Sequence, residues 1–432
     1  MRIFSSVIIW TQISIFCFSA VLQSGAFISP APGSDRNLLF FEHVEHVINH
    51  VPVVVGGPDY LQDNGTINKK AMTTKVSRIF KGYLFACACL VNFLNVSCEI
   101  PLTTQPANSD WSFSLGNKSV ISQASFPAEG RGYFTDSNIP VLKMGNQYYA
   151  FWSSFRSFRT VASTPFLQDH AKNLTPATAI TGSRQPDNGT SNGFNDGGMW
   201  MIGVEKLNDG RLAGFFHAES HWYPRNTYGY TAYKSLGICY SSDSGKTWSA
   251  PVQLLKHQQN KPASPAWSGL GDACVIYNKA KGKFYAYYAP SSGMAAISMA
   301  CSSDPTAAPG SWKKWYRGSF SQPGMGGAES AISNLSSKPG GNPSVHWNTY
   351  LNKYIMAWHG WDGKMYISAS ADGESWESPR LLLEDGPRAW YPVLIGSSST
   401  EGGQSMTMYY ACDFKDDGTR SLVYRTITFT KK

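Results

Sequence analysis

Charged residues are scarce in this 432-residue chain, and the charge that it carries is scattered. Only 15% of the residues are Asp, Glu, Lys or Arg, with a net charge of +8 at pH 7. No run of Lys and Arg is long enough for a nucleic-acid-binding arm, so we expect no nucleic-acid partner. With 42% hydrophobic residues the chain cannot be classed as disordered. The positive charge therefore serves solubility or attracts an acidic ligand.

Long helical patterns and cysteine are scarce as well. Forty Gly and 24 Pro, with few long apolar-periodic segments, indicate many short strands and turns. Four of the eight cysteines lie within residues 1–98, and those that remain are too few for a disulfide framework. Cys239 and Cys301 occupy equivalent places in successive repeats that should not meet, so we expect buried free thiols.

Residues 1–98 are interpreted as a leader region with two signal-peptide-like segments, 1–26 and 72–98. Each has early basic residues, a short apolar run and then small residues, and the second run is too short for a confident membrane span. Translation could therefore start at Met72. We expect a secreted, extracellular protein, and the competing interpretation is tethering to a membrane by an uncleaved leader. Six glycosylation sequons fit this route: Asn64, Asn95, Asn117, Asn173, Asn188 and Asn334.

Five copies of one hairpin pattern decide the predicted fold. Each copy is an apolar strand, a turn that usually contains Gly, and an aromatic strand, as in "DSNIPVLKMGNQYYAFWSS". The copies begin near residues 136, 199, 271, 342 and 390. A spacing of roughly fifty to seventy residues suits one propeller blade. We therefore predict an all-β fold, a five-bladed β-propeller over residues 105–432 that follows the leader region.

A second element follows three of the hairpins: a strand, a Ser-x-Asp turn and a Trp. It spans Ser241–Trp248, Ser302–Trp312 and Ser370–Trp376. The first copy matches the Asp-box of sialidases, Ser-x-Asp-x-Gly-x-x-Trp, while the second has an insertion and the third is one residue shorter. Because Ser and Asp bond to nearby backbone in such turns, their aspartates are predicted to be structural.

The chemistry is expected where the hairpins begin and end. In a propeller these points converge on one rim, so distant residues meet. We predict Asp136, Glu219 and Asp272 as catalytic carboxylates, because a glycosidase needs a proton donor and a base or nucleophile. Predicted substrate-binding residues at the same rim are His217, Arg156, Asn342, His359, Trp390 and Tyr391.

This layout resembles the five-bladed glycosidases of the arabinanase, xylosidase and invertase type, with Asp-boxes as in six-bladed sialidases. The resemblance implies that Asp136, at the start of the first inner strand, is the general base or nucleophile. Those families usually offer an acid Glu from a middle blade, where this chain has Asp272, and Glu219 is an alternative acid. Crowding would raise the pKa of Glu219, whereas charged neighbouring histidines would lower it. The sialidase Phe-Arg-Ile-Pro signature and a trio of arginines are missing, which disfavours sialidase activity.

The stretch "GFFHAESHWY" places His217, Glu219 and His221 on one side of a strand. Residues four apart on a strand are about 13 Å apart, too far for both histidines to hold one small metal ion. We therefore predict no metal and no cofactor. His217 and Glu219 are interpreted as substrate contacts, and His221 as a bystander.

Two other functions stay open. A polysaccharide lyase could use His217 or Tyr391 to abstract a proton, with Arg156 and Arg159 on a uronate carboxylate. A non-catalytic carbohydrate-binding propeller could have kept the fold without the chemistry. In each case the predicted partner is a carbohydrate and the protein is expected to be a monomer.

Overall fold

Antiparallel strands make up nearly all of the regular structure. The computed structural model describes residues 109–432 except 129, 155, 175–177, 180–186, 192 and 291–294. Within these residues the helices are short: α1 (Leu167–Ala171), α2 (Arg225–Tyr228) and a 3-10 turn (Ser333–Leu335). None of the helices seen there is long and apolar enough to cross a membrane. The all-β prediction is confirmed, and the leader prediction for 1–98 lies outside the described residues.

The described strands form four sheets, and one of these consists of two antiparallel meanders joined by a short parallel pairing. Counted separately, these give five meanders, each of which starts with a hairpin. The first contains β3 (Val141–Met144), β4 (Gln147–Ser154), β5 (Arg156–Ala162) and β6 (Thr178–Ala179). The second contains β7 (Gly198–Lys206), β8 (Leu212–His221), β9 (Ala232–Ser241) and β10 (Val252–Leu255). The third contains β11 (Ser268–Asn278), β12 (Lys283–Pro290), β13 (Ser298–Ser302), β14 (Lys313–Tyr316) and β15 (Ser319–Pro323).

The fourth meander contains β16 (Gly340–Asn348), β17 (Lys353–Gly360), β18 (Met365–Ser370) and β19 (Arg380–Leu383). The fifth contains β20 (Trp390–Ile395), β22 (Ser405–Cys412), β23 (Ser421–Lys431) and β1 (Trp111–Leu115). Two short strands join these sheets at their edges: β2 (Ser119–Ile121) pairs with β23, and β21 (Glu401–Gly402) pairs with β16.

Apolar clusters fill the spaces between neighbouring meanders. Phe151 of the first packs with Phe216 of the second, and further clusters join the second to the third, the third to the fourth, and the fourth to the fifth. One more cluster packs Val141 of the first meander with Tyr409 of the fifth, which closes a ring. Because neighbours cover both faces of each sheet, strands such as β7 are buried on both sides and read as continuous apolar runs.

The innermost strands surround one narrow cavity at the centre of the ring. Its lining includes one apolar residue from each meander: Pro140, Val204, Val275, Val345 and Val393. Sheets arranged radially around a central channel form a β-propeller. This arrangement brings the starts of all the inner strands close to one another.

The first and last described strands pair with each other to complete the fifth meander. Trp111 of β1 lies opposite Lys431 of β23 in an antiparallel register. The Trp111 ring is 1% exposed, and its indole N–H donates to Glu377 at 3.0 Å. The Arg380 guanidinium lies 3.5 Å from the ring centroid. A short strand from the beginning of the described chain is thus anchored by one deeply buried side chain.

The three Ser-x-Asp turns have a structural role, as predicted. The Asp243 carboxylate accepts hydrogen bonds from the backbone N–H groups of Lys246 and Thr247 at 3.1 and 2.9 Å. Asp304 and Asp372 accept equivalent bonds from their own turns. The first turn follows the end of β9 that lies farthest from Glu219, because Ser241 pairs with Leu212 and Lys234 pairs with Glu219. These aspartates are therefore remote from the predicted catalytic carboxylates.

The structure confirms the prediction for the cysteines but does not test the prediction of glycosylation. The four cysteines of the described residues are free and buried, which confirms the expectation for Cys239 and Cys301. Four of the six sequon asparagines lie on exposed positions: Asn117, Asn173, Asn188 and Asn334. The other two lie outside the described residues, and glycosylation stays a prediction.

His346 is a core residue without hydrogen bonds. Neither ring nitrogen has a partner among the described residues, and the side chain is fully buried. Burial lowers the pKa of His346 to about 3. The ring packs beside Phe429, with ring centroids 6.4 Å apart.

The buried histidine predicts a specific loss of stability in acid. Below about pH 6.5, the usual pKa of histidine, His346 of the unfolded chain binds a proton. In the folded chain, His346 binds this proton only near pH 3. Folding is therefore destabilised as the pH falls through this window, by about 2 kcal/mol between pH 6.5 and 4.5. We expect His346→Leu to remove this share of the acid lability in urea unfolding at both pH values. The same pH dependence in both proteins would contradict it.

Candidate active site

The predicted carboxylates lie at the same end of their meanders. In each hairpin the start of the first strand pairs with the end of the second, as Gly198 does with Glu219 and Gly341 with His359. Asp136 precedes β3 and donates its N–H to Ser153, at the end of β4. Asp272 lies near the start of β11. The ring therefore gathers residues that are far apart in the sequence.

A repeated irregularity shapes the starts of three inner strands. Asp272, Asn342 and Tyr391 all have a left-handed backbone, with φ of 49°, 47° and 58°. Each sits where the hairpin register shifts, as in a β-bulge. Because these residues are not glycine, the conformation is strained at three equivalent places of the ring, all of them at the candidate site.

Asp136 is held by a cation and an indole. Arg420 donates to Oδ1 at 2.6 Å, and the Trp200 N–H donates to Oδ2 at 3.0 Å. Burial raises the pKa of this carboxyl and outweighs the lowering by Arg420 and Trp200, with a further raising contribution from Glu219. Asp136 is therefore a carboxylate with both oxygens engaged by donors and a basicity increased by burial.

Glu219 lies between two imidazoles. His221 Nε2 is 2.8 Å from Oε2, and His217 Nε2 is 3.4 Å from Oε1. Burial alone would raise the pKa of Glu219, but hydrogen bonds and charge from the two histidines outweigh it, and the pKa is lowered. Of the two opposing effects that the sequence suggests, that of the histidines prevails. His221, interpreted as a bystander to the substrate, makes the shorter contact with Glu219 and so orients this carboxylate.

The tautomer of His217 follows from its second contact. The backbone N–H of Asp272 donates to His217 Nδ1 at 3.0 Å, so the ring proton of a neutral imidazole lies on Nε2, toward Glu219. Two glycines make room for the rings. A Cβ on Gly271 would lie 2.6 Å from the His217 ring, and one on Gly197 would lie 2.3 Å from the His221 ring.

Asp272 has one charged partner. Lys234 Nζ lies 2.6 Å from Oδ2, and both side chains are mostly buried. Burial would raise the pKa of Asp272, but Lys234 and the nearby histidines outweigh it and lower the pKa. Among the described residues, no hydrogen bond reaches Oδ1, which lies 4.0 Å from His217 Nδ1.

His359 repeats the arrangement of His217 in the fourth meander. Its Nδ1 accepts the backbone N–H of Tyr391 at 3.3 Å, and its ring stacks on Trp390 with centroids 4.8 Å apart. Burial lowers the pKa of His359 to about 3, so the ring is neutral and carries its proton on Nε2. Neither that N–H nor the Trp390 N–H has a partner within the described part of the chain.

Electrostatic interactions join these groups into one site. Burial raises the pKa of Tyr391 above its usual range, and Asp136 and Asp272 raise it further. The charge of Asp272 also raises the pKa of His359, against the effect of burial. Together with the effect of Glu219 on Asp136, these interactions show that residues of all five meanders share one electrostatic environment.

The remaining predicted residues have other surroundings. Asn342 is buried at the start of β16, and Arg156 opens β5 at the same end of the ring. Arg159 is structural, because its Nε donates to Ser244 O in a turn of the next meander. Asp196, which the sequence places before the second hairpin, accepts the backbone N–H of His221 at 2.8 Å and stabilises the end of β8.

Three members of the site were not predicted: Trp200, Lys234 and Arg420. Lys234 carried a usable signal, since a lysine inside the otherwise apolar strand β9 requires a buried partner. Arg420 lies just before β23, after a Gly-containing turn, and nothing in its neighbourhood distinguishes it from a surface arginine.

No protein-family profile and no curated protein sequence matches the chain. A family 117 glycoside hydrolase from the marine bacterium Zobellia galactanivorans has a similar structure (9% identity, 74% of this chain, 90% of that chain, TM-score 0.47). So has the alpha-L-arabinofuranosidase from Lactobacillus brevis (15% identity, 69% and 94% of the chains, TM-score 0.44). A third is the catalytic domain of the Coprinopsis cinerea GH62 alpha-L-arabinofuranosidase (10% identity, 73% and 98%, TM-score 0.42).

Proposed function

We propose that the chain is a glycoside hydrolase with Asp136, Asp272 and Glu219 as its catalytic carboxylates. One observation carries the proposal: carboxylates from three meanders meet at one end of the ring, each held by a different set of donors. Hydrolysis of a glycosidic bond requires one carboxyl group that protonates the leaving oxygen and one carboxylate that activates water or attacks the sugar. Different donor sets allow different roles for the same chemical group.

Asp136 is assigned as the general base or nucleophile. Arg420 and Trp200 occupy both of its oxygens with donors, which favours the ionised form. Burial acts against this and makes the carboxylate more basic than an exposed one. A base with these properties accepts a proton from water more readily than a solvated aspartate does.

Asp272 is assigned as the proton donor. No hydrogen bond from the described residues reaches its Oδ1, which can therefore serve the leaving-group oxygen, and Lys234 is the largest of the charges that stabilise the carboxylate. A substrate that draws Lys234 away makes protonation of Asp272 favourable. Glu219 has both oxygens against imidazoles and stays ionised. It would stabilise the positive charge that develops on the sugar ring in the transition state.

The architecture and destination belong to the same proposal. We propose that each of the five meanders is one propeller blade, and that residues 1–98 direct the protein into the secretory pathway. The exposed sequons Asn117, Asn173, Asn188 and Asn334 support this route. Detection of the intact protein in the culture medium, with glycans on these sites, tests it.

A panel of plant, algal and sialylated glycans tests the proposed function directly. Saccharides with new reducing ends and no ultraviolet-absorbing unsaturated end identify a hydrolase. An unsaturated product that absorbs in the ultraviolet identifies a lyase instead. Glycan binding without any product, with folded protein confirmed, identifies a binding propeller and contradicts the hydrolase proposal.

Removal of Lys234 should shift the pH profile. In the assigned roles the active form carries a proton on Asp272 and none on Asp136. Because the pKa of Asp272 is lowered and that of Asp136 is raised, the acid limb of kcat/KM follows Asp272 and the alkaline limb follows Asp136. Since Lys234 lowers the pKa of Asp272, Lys234→Met raises it, and the acid limb moves to higher pH. The control is Lys338→Met, which removes a lysine at the same 5.1 Å distance from an aromatic ring. An unchanged acid limb in Lys234→Met contradicts the role of Asp272.

A further inference from the structure

The second and third meanders are joined by a short parallel pairing. Ser268 pairs with Tyr233, and Gly269 pairs with Lys234. Gly269 has φ of +86°, and a Cβ there would lie 2.1 Å from the Lys234 carbonyl oxygen. Only glycine allows the two backbones to approach this closely. The pairing fixes the segment before β11 against the start of β9.

This pairing presents Trp267 to solvent beside the site. The Trp267 side chain is 53% exposed, although a ring of this size is usually covered. Lys234 Nζ lies 5.1 Å from the ring centroid, and the same ammonium binds Asp272 at 2.6 Å. Trp267 is thus separated from the assigned proton donor by one side chain.

A second exposed aromatic residue lies on the neighbouring loop. Tyr230 is 57% exposed, and it precedes β9 by two residues. The Ser268–Tyr233 register places the segment before β11 beside the segment before β9, so Trp267 and Tyr230 lie on adjacent loops. The Arg225 guanidinium lies 4.0 Å from the Tyr230 ring centroid and restrains it.

We infer that Trp267 and Tyr230 form a glycan-binding ridge, on which the sugar units beyond the leaving-group oxygen stack. The inference rests on the proposed function and names its substrate class: an extended glycan chain. A pyranose presents a face of C–H groups that packs on an aromatic ring, while its hydroxyl groups stay in water. The ridge lies on the Asp272 side of the site. It therefore binds the part of the glycan that is released as the leaving group.

Variants of Trp267 test the ridge through the dependence on substrate length. We expect Trp267→Ala to raise KM for long oligosaccharides about tenfold, with much smaller effects on kcat and on the shortest cleavable substrate. Trp267→Phe should restore most of the affinity. The matched control is Tyr277→Ala, an exposed aromatic near the other end of β11, about 30 Å away. An unchanged length dependence in Trp267→Ala, or an equal loss in Tyr277→Ala, overturns the inference.

Binding to a catalytically impaired protein separates this inference from the proposed function. In an Asp136→Asn background, titration with the same oligosaccharides reports affinity without turnover. Loss of affinity on adding Trp267→Ala supports the ridge, even if the wild-type protein cleaves no glycan and the hydrolase proposal fails. Cleavage by the wild type with no change of affinity on adding Trp267→Ala rejects the ridge and leaves the hydrolase standing.

Discussion

Asp136→Asn is expected to lower kcat/KM for the preferred glycan by at least about 10³-fold. The amide can neither accept a proton from water nor attack an anomeric carbon. It also presents an N–H where the carboxylate accepted hydrogen bonds from Arg420 and Trp200. Initial rates at saturating and subsaturating substrate measure the effect. Retention of more than a tenth of the wild-type kcat/KM would contradict the assigned role.

The leaving group separates Asp136 from Asp272 in the same experiment. An activated aryl glycoside leaves without protonation, so Asp272→Asn should regain most of its activity on that substrate. Asp136→Asn should stay inactive on it, because its step is still needed. Thermal unfolding of both variants close to that of the wild type serves as the folding control. Recovery of Asp136→Asn instead would exchange the two roles.

Trp111→Ala is expected to reduce the free energy of unfolding by about 3–5 kcal/mol. The ring is almost fully buried, and its removal leaves a cavity beside Phe429. The substitution also removes the hydrogen bond that the indole N–H donates to Glu377, and it uncovers the Arg380 guanidinium. Urea unfolding monitored by circular dichroism measures the loss.

Two variants control this prediction. Trp315→Ala truncates a partly buried tryptophan that packs on Phe320 in the third meander, away from the paired ends, and should cost less. Trp111→Phe keeps much of the packing and loses the bond to Glu377, so an intermediate loss is expected. Equal losses of unfolding free energy in Trp111→Ala and Trp315→Ala would contradict the prediction that β1 contributes more to stability than the edge of the third meander does.

The sequence predicted the features that depend on local patterns. Five hairpins could be recognised because inner strands such as β7 and β16 are buried on both faces and a turn separates the two strands of each hairpin. Hence the places of Asp136 and Asp272, at hairpin starts, could be predicted. Arg420 and Trp200 could not, because their contacts with Asp136 join different meanders and depend on how these pack.

The histidines show where geometric reasoning from sequence was incomplete. The distance between His217 and His221 along a strand argues against one shared metal ion. It does not argue against a shared carboxylate, because Glu219 lies midway and each imidazole has only half the distance to cover. The space that Gly197 provides for the His221 ring, from another strand, was not visible in the sequence either.

The pairing of β1 with β23 has a consequence for biogenesis. As the chain leaves the ribosome, Trp111 emerges early and has no strand to pair with until Ser421–Lys431 has been made. Earlier meanders can form their hairpins, yet the face of each terminal sheet stays uncovered until the last strand arrives. Contacts of such long sequence separation make folding slow, so these faces are open to association with other chains during that interval.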